Sequence, residues 1–320
     1  MSLRVAVQMD PLEKINISGD STFAIMLKAQ ELGHALHYYE PEALSYAEGR
    51  LWTMGYPVTV QPVPGDHYSL GQPRILDLGR DVDVVLMRQD PPFDLGYITA
   101  THLLERIRDE TLVVNDPASV RNAPEKIWVL DFAEFMPPTA ITRSLGLTRK
   151  FLADHGEIVI KPLHGFAGGS VFRIGPDGQN LASLIELFNR TYREPHVIQK
   201  FIPEIAEGDK RIVLVDGAVA GAINRVPGEG EIRSNLAVGG TAAKTELTAV
   251  EEEICAALAP ELKQRGIVFA GIDVIGGRWL TEINVTSPTG IVAIDQFNGT
   301  DTPALIWRAI ERRLSERSNK

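Results

Sequence analysis

The hydrophobic pattern changes period repeatedly through the first third of the chain. Leu3–Met9 is a continuous apolar, β-branched run, the mark of a buried strand. Ser21–Leu32 places its apolar residues at helical spacing, with Asp20 or Ser21 as N-cap and Gly33 as the stop. Ala35–Tyr39 reads as the next strand, Val82–Met87 as a buried one, Tyr97–Arg108 as a helix and Thr111–Asn115 as a further strand. Residues 47–80 mix Gly, Pro and alternating stretches and read as strands and loops. Strands that alternate with helices predict an α/β unit with a largely parallel sheet.

A boundary follows at NDPASVRNAPEK, where turn residues and two prolines interrupt both periods. Beyond it, Lys126–Phe135 reads as helical, Thr139–Thr142 as a strand, Leu147–His155 as a helix, Leu181–Arg190 as a helix and His196–Phe201 as a strand. The pattern then turns β-rich. Lys210–Val215 and Ala218–Val226 flank the turn Asp216-Gly217, and a glycine-rich loop covers 227–240. Leu247–Arg265 is helical, Val268–Ile275 and Arg278–Asn284 are strands joined through Gly276-Gly277, and Thr302–Arg317 is an amphipathic helix.

Composition narrows the function. Forty-two acidic residues against 32 Lys and Arg give a formal charge of −10, which argues against nucleic acid as a partner. Cys255 is the single cysteine, so an intrachain disulfide and a multi-cysteine metal site are excluded. Its spacing with Ile254, Leu258 and Leu262 makes it a core residue. The N-terminal segment is too acidic and too short in apolar length for a signal peptide, and no window approaches 18 apolar residues. No membrane is expected, and the expected location is cytoplasmic. His34 and His37 flank a strand without metal spacing, and no G-x-G-x-x-G, H-E-x-x-H or G-x-S-x-G is present.

Three groups of residues carry chemistry. In IVIKPLHGFAGGSVFRI, a strand ends on Lys161 and opens into a loop containing Gly165, Gly168 and Gly169. Without a following Gly-Lys-Ser or Gly-Lys-Thr it is no Walker A loop, but its backbone amides suit an anion. Lys126, just past the boundary, and Lys200, in a later strand, add cations. In FAGIDVIGGRWLTEINVTSPTG, Glu282 and Asn284 are two apart and share a strand face, and Asp273 sits on the facing strand. Two carboxylates and an amide oxygen suit Mg²⁺, which keeps several water and phosphate ligands. Arg88, Arg211, Arg225 and Arg233 are candidates for clamping carboxylates, Arg88 especially because it ends a buried strand of the α/β unit.

MRQDPPFD, VNDPASVRNAPEK, IVIKPL, GDKRIVLVDG, RSNLAVGG, GIDVIG and LTEINVTSPTG together resemble bacterial-type glutathione synthetase of the ATP-grasp superfamily, over nearly the whole chain. The resemblance implies an α+β ATP-grasp fold: a Rossmann-like pre-ATP-grasp domain at 1–122, a central ATP-grasp subdomain at 123–201 and a C-terminal one at 202–320. It implies ligation of glycine to γ-glutamylcysteine with ATP and Mg²⁺ or Mn²⁺, giving glutathione, ADP and phosphate, in a homo-oligomer, commonly a tetramer. On that resemblance Lys126, Lys161 and Gly165, Gly168 and Gly169 match phosphate-binding positions. Gln199, Lys200, Phe201, Ile202 and Asp209 match the nucleotide-framing segment. Asp273, Glu282 and Asn284 match the metal positions. Arg211, Arg225 and Arg233 match catalytic positions, and Arg88, Asn235, Ser287, Pro288 and Thr289 match the substrate zone. His164, Ala167, Thr241, Val292 and Ala293 depart from the family pattern, which leaves open a related ligase with a different acid or amine, or a weakly active nucleotide-binding relative. Replacing Glu282 by Gln is expected to lower the rate with the fold unchanged.

Overall fold

The computed structural model describes residues 2–165, 168–235 and 239–318; Ala167 lies outside them. Three sheets carry the chain. The first has eight strands, of which Ala35–Tyr39, Arg4–Gln8, Val84–Met87 and Leu112–Val114 lie side by side and parallel. The other four are antiparallel: Arg50–Val60 pairs with Ala35–Tyr39 and itself carries Ser45–Ala47, Tyr68–Leu70 and Arg74–Asp77. The expectation of a largely parallel sheet is therefore corrected to half parallel. The reason is local: Glu48 and Gly49 both have positive φ, 51° and 80°, so the chain turns straight back after Ala47 with no crossover helix.

The second sheet is antiparallel, in the order Phe172–Ile174, Ile158–Pro162, His196–Lys200, Thr139–Thr142. Helices Leu145–His155 and Leu181–Thr191 cover it with Leu152, Leu184, Ile185 and Phe188 over Ile158, Ile160 and Ile198. The third sheet runs Thr241–Lys244, Ala218–Val226, Asp209–Val215, Phe269–Ile275, Trp279–Asn284, all antiparallel. Helix Ala249–Gln264 packs beside it, started by a capping box in which Thr248 and Glu251 exchange bonds. Its Cys255 is buried, and burial pushes the thiol up to about 12, so the cysteine is an inert core residue.

The first and third sheets share one core: Val5, Val84 and Phe23 pack in the same cluster as Val213, Phe269, Ile294 and Trp307. The closing helix Thr302–Ser318 is held there by the indole of Trp307, which donates to Ile25 O at 2.9 Å. Four elements differ from the sequence reading. The boundary segment contains a helix, Pro117–Arg121, because Asp116 caps Ser119 N at 2.8 Å and Pro117 fits the first helical position. Ile291–Asn298 is a helix of eight residues, too short to show a period, and Thr241–Lys244 is a strand that directly follows the loop read at 227–240. Lys126–Phe135 is not one helix: Glu125–Trp128 is followed by a 3₁₀ run, Val129–Phe135, broken at Phe132 (φ −119°, ψ 40°). Among the described residues no helix is long and apolar enough to cross a membrane.

Candidate active site

A cleft of about 390 Å³ lies where the three sheets meet. Its floor is the third sheet. There Asp273 is paired directly with Glu282 across antiparallel strands, so the two side chains leave the same face, and Asn284 leaves that face two residues on. A bulge between Asp273 and Val274 re-aims the strand at this point.

Cations surround both carboxylates. Arg211 Nε donates to Asp273 Oδ1 at 2.7 Å and Nη2 to Oδ2 at 3.2 Å, a bidentate grip. Arg225 Nη2 lies 2.9 Å from Asp273 Oδ1, and its Nε donates to Asp209 Oδ1 at 2.6 Å. Burial works against the Asp273 charge, but Arg211 and Arg225 outweigh it, and the carboxyl lies well below its ordinary range. Asp209 goes the other way: burial raises its carboxyl more than Arg225 lowers it. Glu282 Oε1 is 3.2 Å from Lys161 Nζ and 3.3 Å from Lys126 Nζ. Burial again opposes the charge, the two ammoniums prevail, and Glu282 stays below its ordinary value. Lys126 also donates to Gly165 O at 2.7 Å, tying the glycine loop to the carboxylate floor.

The remaining residues fall into three places. Gly165, Gly168 and Gly169 line the cleft, with Gly168 at φ +72°, a conformation natural to glycine. A Cβ at Gly168 would meet Asn235 Oδ1 at 2.8 Å, so the loop after Lys161 and the 227–240 loop touch. Arg233 also lines the cleft and pairs with Glu231. Gln199, Lys200, Phe201 and Ile202 form one wall; Gln199 Nε2 is fixed on Thr139 Oγ1 at 2.8 Å, and the guanidinium of Arg173 covers the Phe201 ring at 4.0 Å.

The segment Ser287–Pro288–Thr289 hangs between two arginines. Arg88 Nη2 donates to Pro288 O at 2.9 Å, Arg211 Nη1 donates to Thr289 O at 3.2 Å, and Ser287 Oγ donates to Arg88 O at 3.2 Å. Arg88 and Pro288 do not line the cleft itself. Arg88 is buried behind it, its Nε on Thr22 Oγ1 at 3.0 Å, its guanidinium 5.2 Å from the Phe269 ring centroid, and its Nη1 without a partner. Burial lowers its pKa, and among the described residues no carboxylate bonds it.

Sequence reasoning passed over Glu125. It lines the cleft one residue before Lys126, 3.4 Å from that ammonium, and burial raises its carboxyl. Adjacency to Lys126 was its only signal. The family departures also have positions. His164 stacks near Phe93, ring centroids 5.8 Å apart; Thr241 opens an exposed strand; Val292 and Ala293 pack their apolar side chains against the core shared by the first and third sheets. An apolar face is what that helix needs there.

Two carboxylates held ionised and an amide on one face fit a divalent cation of oxygen preference. The lysines and arginines on those oxygens supply in this state the positive charge that a cation and phosphates would redistribute. Among the described residues no cluster of three His, Cys, Asp or Glu is formed, so any cation here has few protein ligands.

Residues 3–121 match the family model for the prokaryotic glutathione synthetase N-terminal domain, and residues 125–299 match that for the prokaryotic glutathione synthetase ATP-grasp domain. The chain belongs to the prokaryotic glutathione synthetase family. The glutathione synthetase of Rhodopseudomonas palustris is 56% identical over 313 residues, 98% of this chain and 99% of that protein. That of Bradyrhizobium diazoefficiens is 56% identical over 316 residues, 99% of this chain and all of that one. Among solved structures the fold is similar to that of the D-cycloserine synthetase DcsG (TM-score 0.69, 17% identity, covering 97% of this chain and 99% of the other). It is also similar to D-alanine–D-alanine ligase from Bacillus anthracis (TM-score 0.62, 16% identity, covering 100% and 99%). The α+β ATP-grasp fold expected from the sequence is thus shared with these structures.

Proposed function

We propose that this chain is an ATP-dependent carboxylate–amine ligase that joins glycine to γ-glutamylcysteine, giving glutathione, ADP and phosphate. One observation carries the reading: two buried lysines, each from a different element, converge on Glu282 beside an arginine-bound Asp273, under a glycine loop. Such a site collects phosphate charge. The family membership supplies the substrates, and relatives 56% identical over the full chain support them.

The residues act by position and charge. Lys126 and Lys161 leave Glu282 for the phosphates of ATP, and the amides of the loop around Gly165, Gly168 and Gly169 add donors. Gln199, Lys200, Phe201, Ile202 and Asp209 frame the rest of the nucleotide. Asp273, Glu282 and Asn284 hold Mg²⁺ or Mn²⁺, which when bound offsets phosphate charge. The carboxylate of γ-glutamylcysteine attacks the γ-phosphoryl group, the bond to the β-phosphate breaks, and an acyl phosphate and ADP result. Asn235, Ser287 and Thr289 fix that substrate, and Arg88 holds the Ser287–Pro288–Thr289 segment from behind the cleft through Pro288 O. The glycine amine then attacks the activated carbonyl, Arg211, Arg225 and Arg233 stabilise the oxyanion, and its collapse expels inorganic phosphate as the amine proton is lost. Contact between the two loops keeps water from the acyl phosphate. We divide the chain at 1–122, 123–201 and 202–320, a division that three separate sheets support. We further take it to work in the cytoplasm as a homo-oligomer, in the family manner a tetramer.

The test is a coupled ADP-release assay. Release should require γ-glutamylcysteine and glycine together. If neither substrate, singly or combined, raises release above background, the reading fails; preference for another amine would make it a related ligase.

A further inference from the structure

None of the roles above uses Asn115, which follows the strand Leu112–Val114 at the carboxyl end of the first sheet. Its side chain is buried and fully bonded. Oδ1 accepts from Val268 N at 2.8 Å and Phe269 N at 2.9 Å. Nδ2 donates to Phe269 O at 2.7 Å and Val285 O at 2.8 Å. Four bonds fill the capacity of an amide, and two N–H groups facing one end with two carbonyls facing the other fix its orientation.

The bonded positions matter. Phe269 opens the strand that carries Asp273, and Val285 directly follows Asn284, the last residue of the strand that carries Glu282. One side chain from the first sheet therefore pins the same end of both strands. The ladder between them shifts at the bulge at Asp273/Val274, directly beside the carboxylates, so the regular side is the one that places Asp273 opposite Glu282. The Asn115 pin lies on the regular side of that bulge, where Gly271 pairs Asn284 and Ile272 pairs Ile283.

We infer that Asn115 is a positioning residue: it sets the register and separation of these two strands at which Asp273, Glu282 and Asn284 accept a divalent cation. The inference rests on the cation-binding reading above. A merely structural Asn115 would contribute to melting temperature and leave the cation affinity of the folded protein alone. No other residue type does the same work. Asp keeps the two accepted bonds but sets an oxygen against two carbonyls, and Gln is a methylene too long.

The experiment is a Mn²⁺ titration of the full chain with a non-hydrolysable ATP analogue, followed by electron paramagnetic resonance. At pH 8 Asn115→Asp should bind Mn²⁺ at least about tenfold more weakly than the unsubstituted protein, the scale of a lost supporting contact behind metal ligands. The gap should narrow toward pH 6, as a proton on the introduced carboxyl restores one donor. Unchanged Mn²⁺ affinity in folded Asn115→Asp overturns the inference even if the melting temperature falls. A Glu282→Gln variant that binds Mn²⁺ as tightly as the unsubstituted protein overturns the cation reading instead. If Asn115→Asp does not fold, hydrogen exchange on the unsubstituted protein decides. Coupling is reciprocal, so the amides of Val268 and Phe269 should exchange more slowly with Mn²⁺ and analogue present; equal rates refute the inference.

Discussion

Glu282 is both the proposed cation ligand and the only carboxylate within 4 Å of Lys161 among the described residues, and Lys126 shares it. Replacing it by Gln therefore does more than remove a ligand. At 3.2 Å and an effective dielectric constant of 20, each ammonium–carboxylate attraction is worth about 5 kcal/mol before desolvation. Removing one member of a buried pair costs about 3–5 kcal/mol net, and the one-fifth exposure of Glu282 points to the lower end. The ligand-free variant should then lose about 3 kcal/mol, which at about 2.1 cal/mol/K of unfolding entropy per residue lowers the melting temperature of a 320-residue chain by roughly 4–5 °C. Tertiary structure thus adds a stability cost to the rate cost expected from sequence. Nucleotide binding should move the other way. In the unsubstituted protein phosphates compete with Glu282 for both lysines; in the variant Lys161 loses its carboxylate and Lys126 keeps only Glu125 and Gly165 O. Calorimetry should find metal-free ADP bound at least as tightly by Glu282→Gln, while ADP release falls at least about 100-fold and loses its dependence on Mg²⁺. A variant within threefold of the normal rate and with normal Mg²⁺ dependence would refute this account, as would loss of metal-free ADP binding.

Further outcomes follow from the same geometry. Glu282 and Asp273 lie below their ordinary values of 4.5 and 3.8, so their contribution to stability is complete above about pH 5 and is lost as pH falls through those values toward the folded ones; thermal melts from pH 7 to 3 should show this fall, and Glu282→Gln should flatten part of it. Arg88→Lys cannot reach both Thr22 and Pro288, and we expect KM for γ-glutamylcysteine to rise about tenfold or more while KM for ATP stays within twofold, measured by steady-state ADP release. A Cβ at Gly271 would stand 3.2 Å from Arg211 Cδ and Nη1; Gly271→Ala should push that guanidinium by a few tenths of an ångström with its pair to Asp273 still formed, and lower kcat about tenfold with little change in melting temperature. Trp307→Ala should cost about 3–5 kcal/mol in chemical denaturation, since the indole is fully buried and bonded to Ile25 O.

Local pattern made much of this molecule legible. The strand at Ala35–Tyr39, the hairpin about Asp216-Gly217 and the helix behind Thr248 are each specified by residues within a few positions of one another, so period and capping chemistry reveal them. The spacing of Glu282 and Asn284 fixed their shared face for the same reason, since alternation along a strand is a backbone property. The same turn-forming residues at 116–121 serve a helix, because Asp116 caps it and Pro117 fits its first position, roles a turn would use equally. Other features required contacts between distant segments. Nothing in the sequence around Arg88 says that it bonds Pro288, 200 residues away, or that it is buried behind the cleft. Nothing around Asn115 says that its amide closes on Phe269 and Val285, because a hydrogen bond across the fold leaves no period in the chain. The sequence by itself determined which residues could bear charge and which faces they occupy. The tertiary structure decided which charges meet, because electrostatic and hydrogen-bond energies depend on separations through space, and only folding sets those.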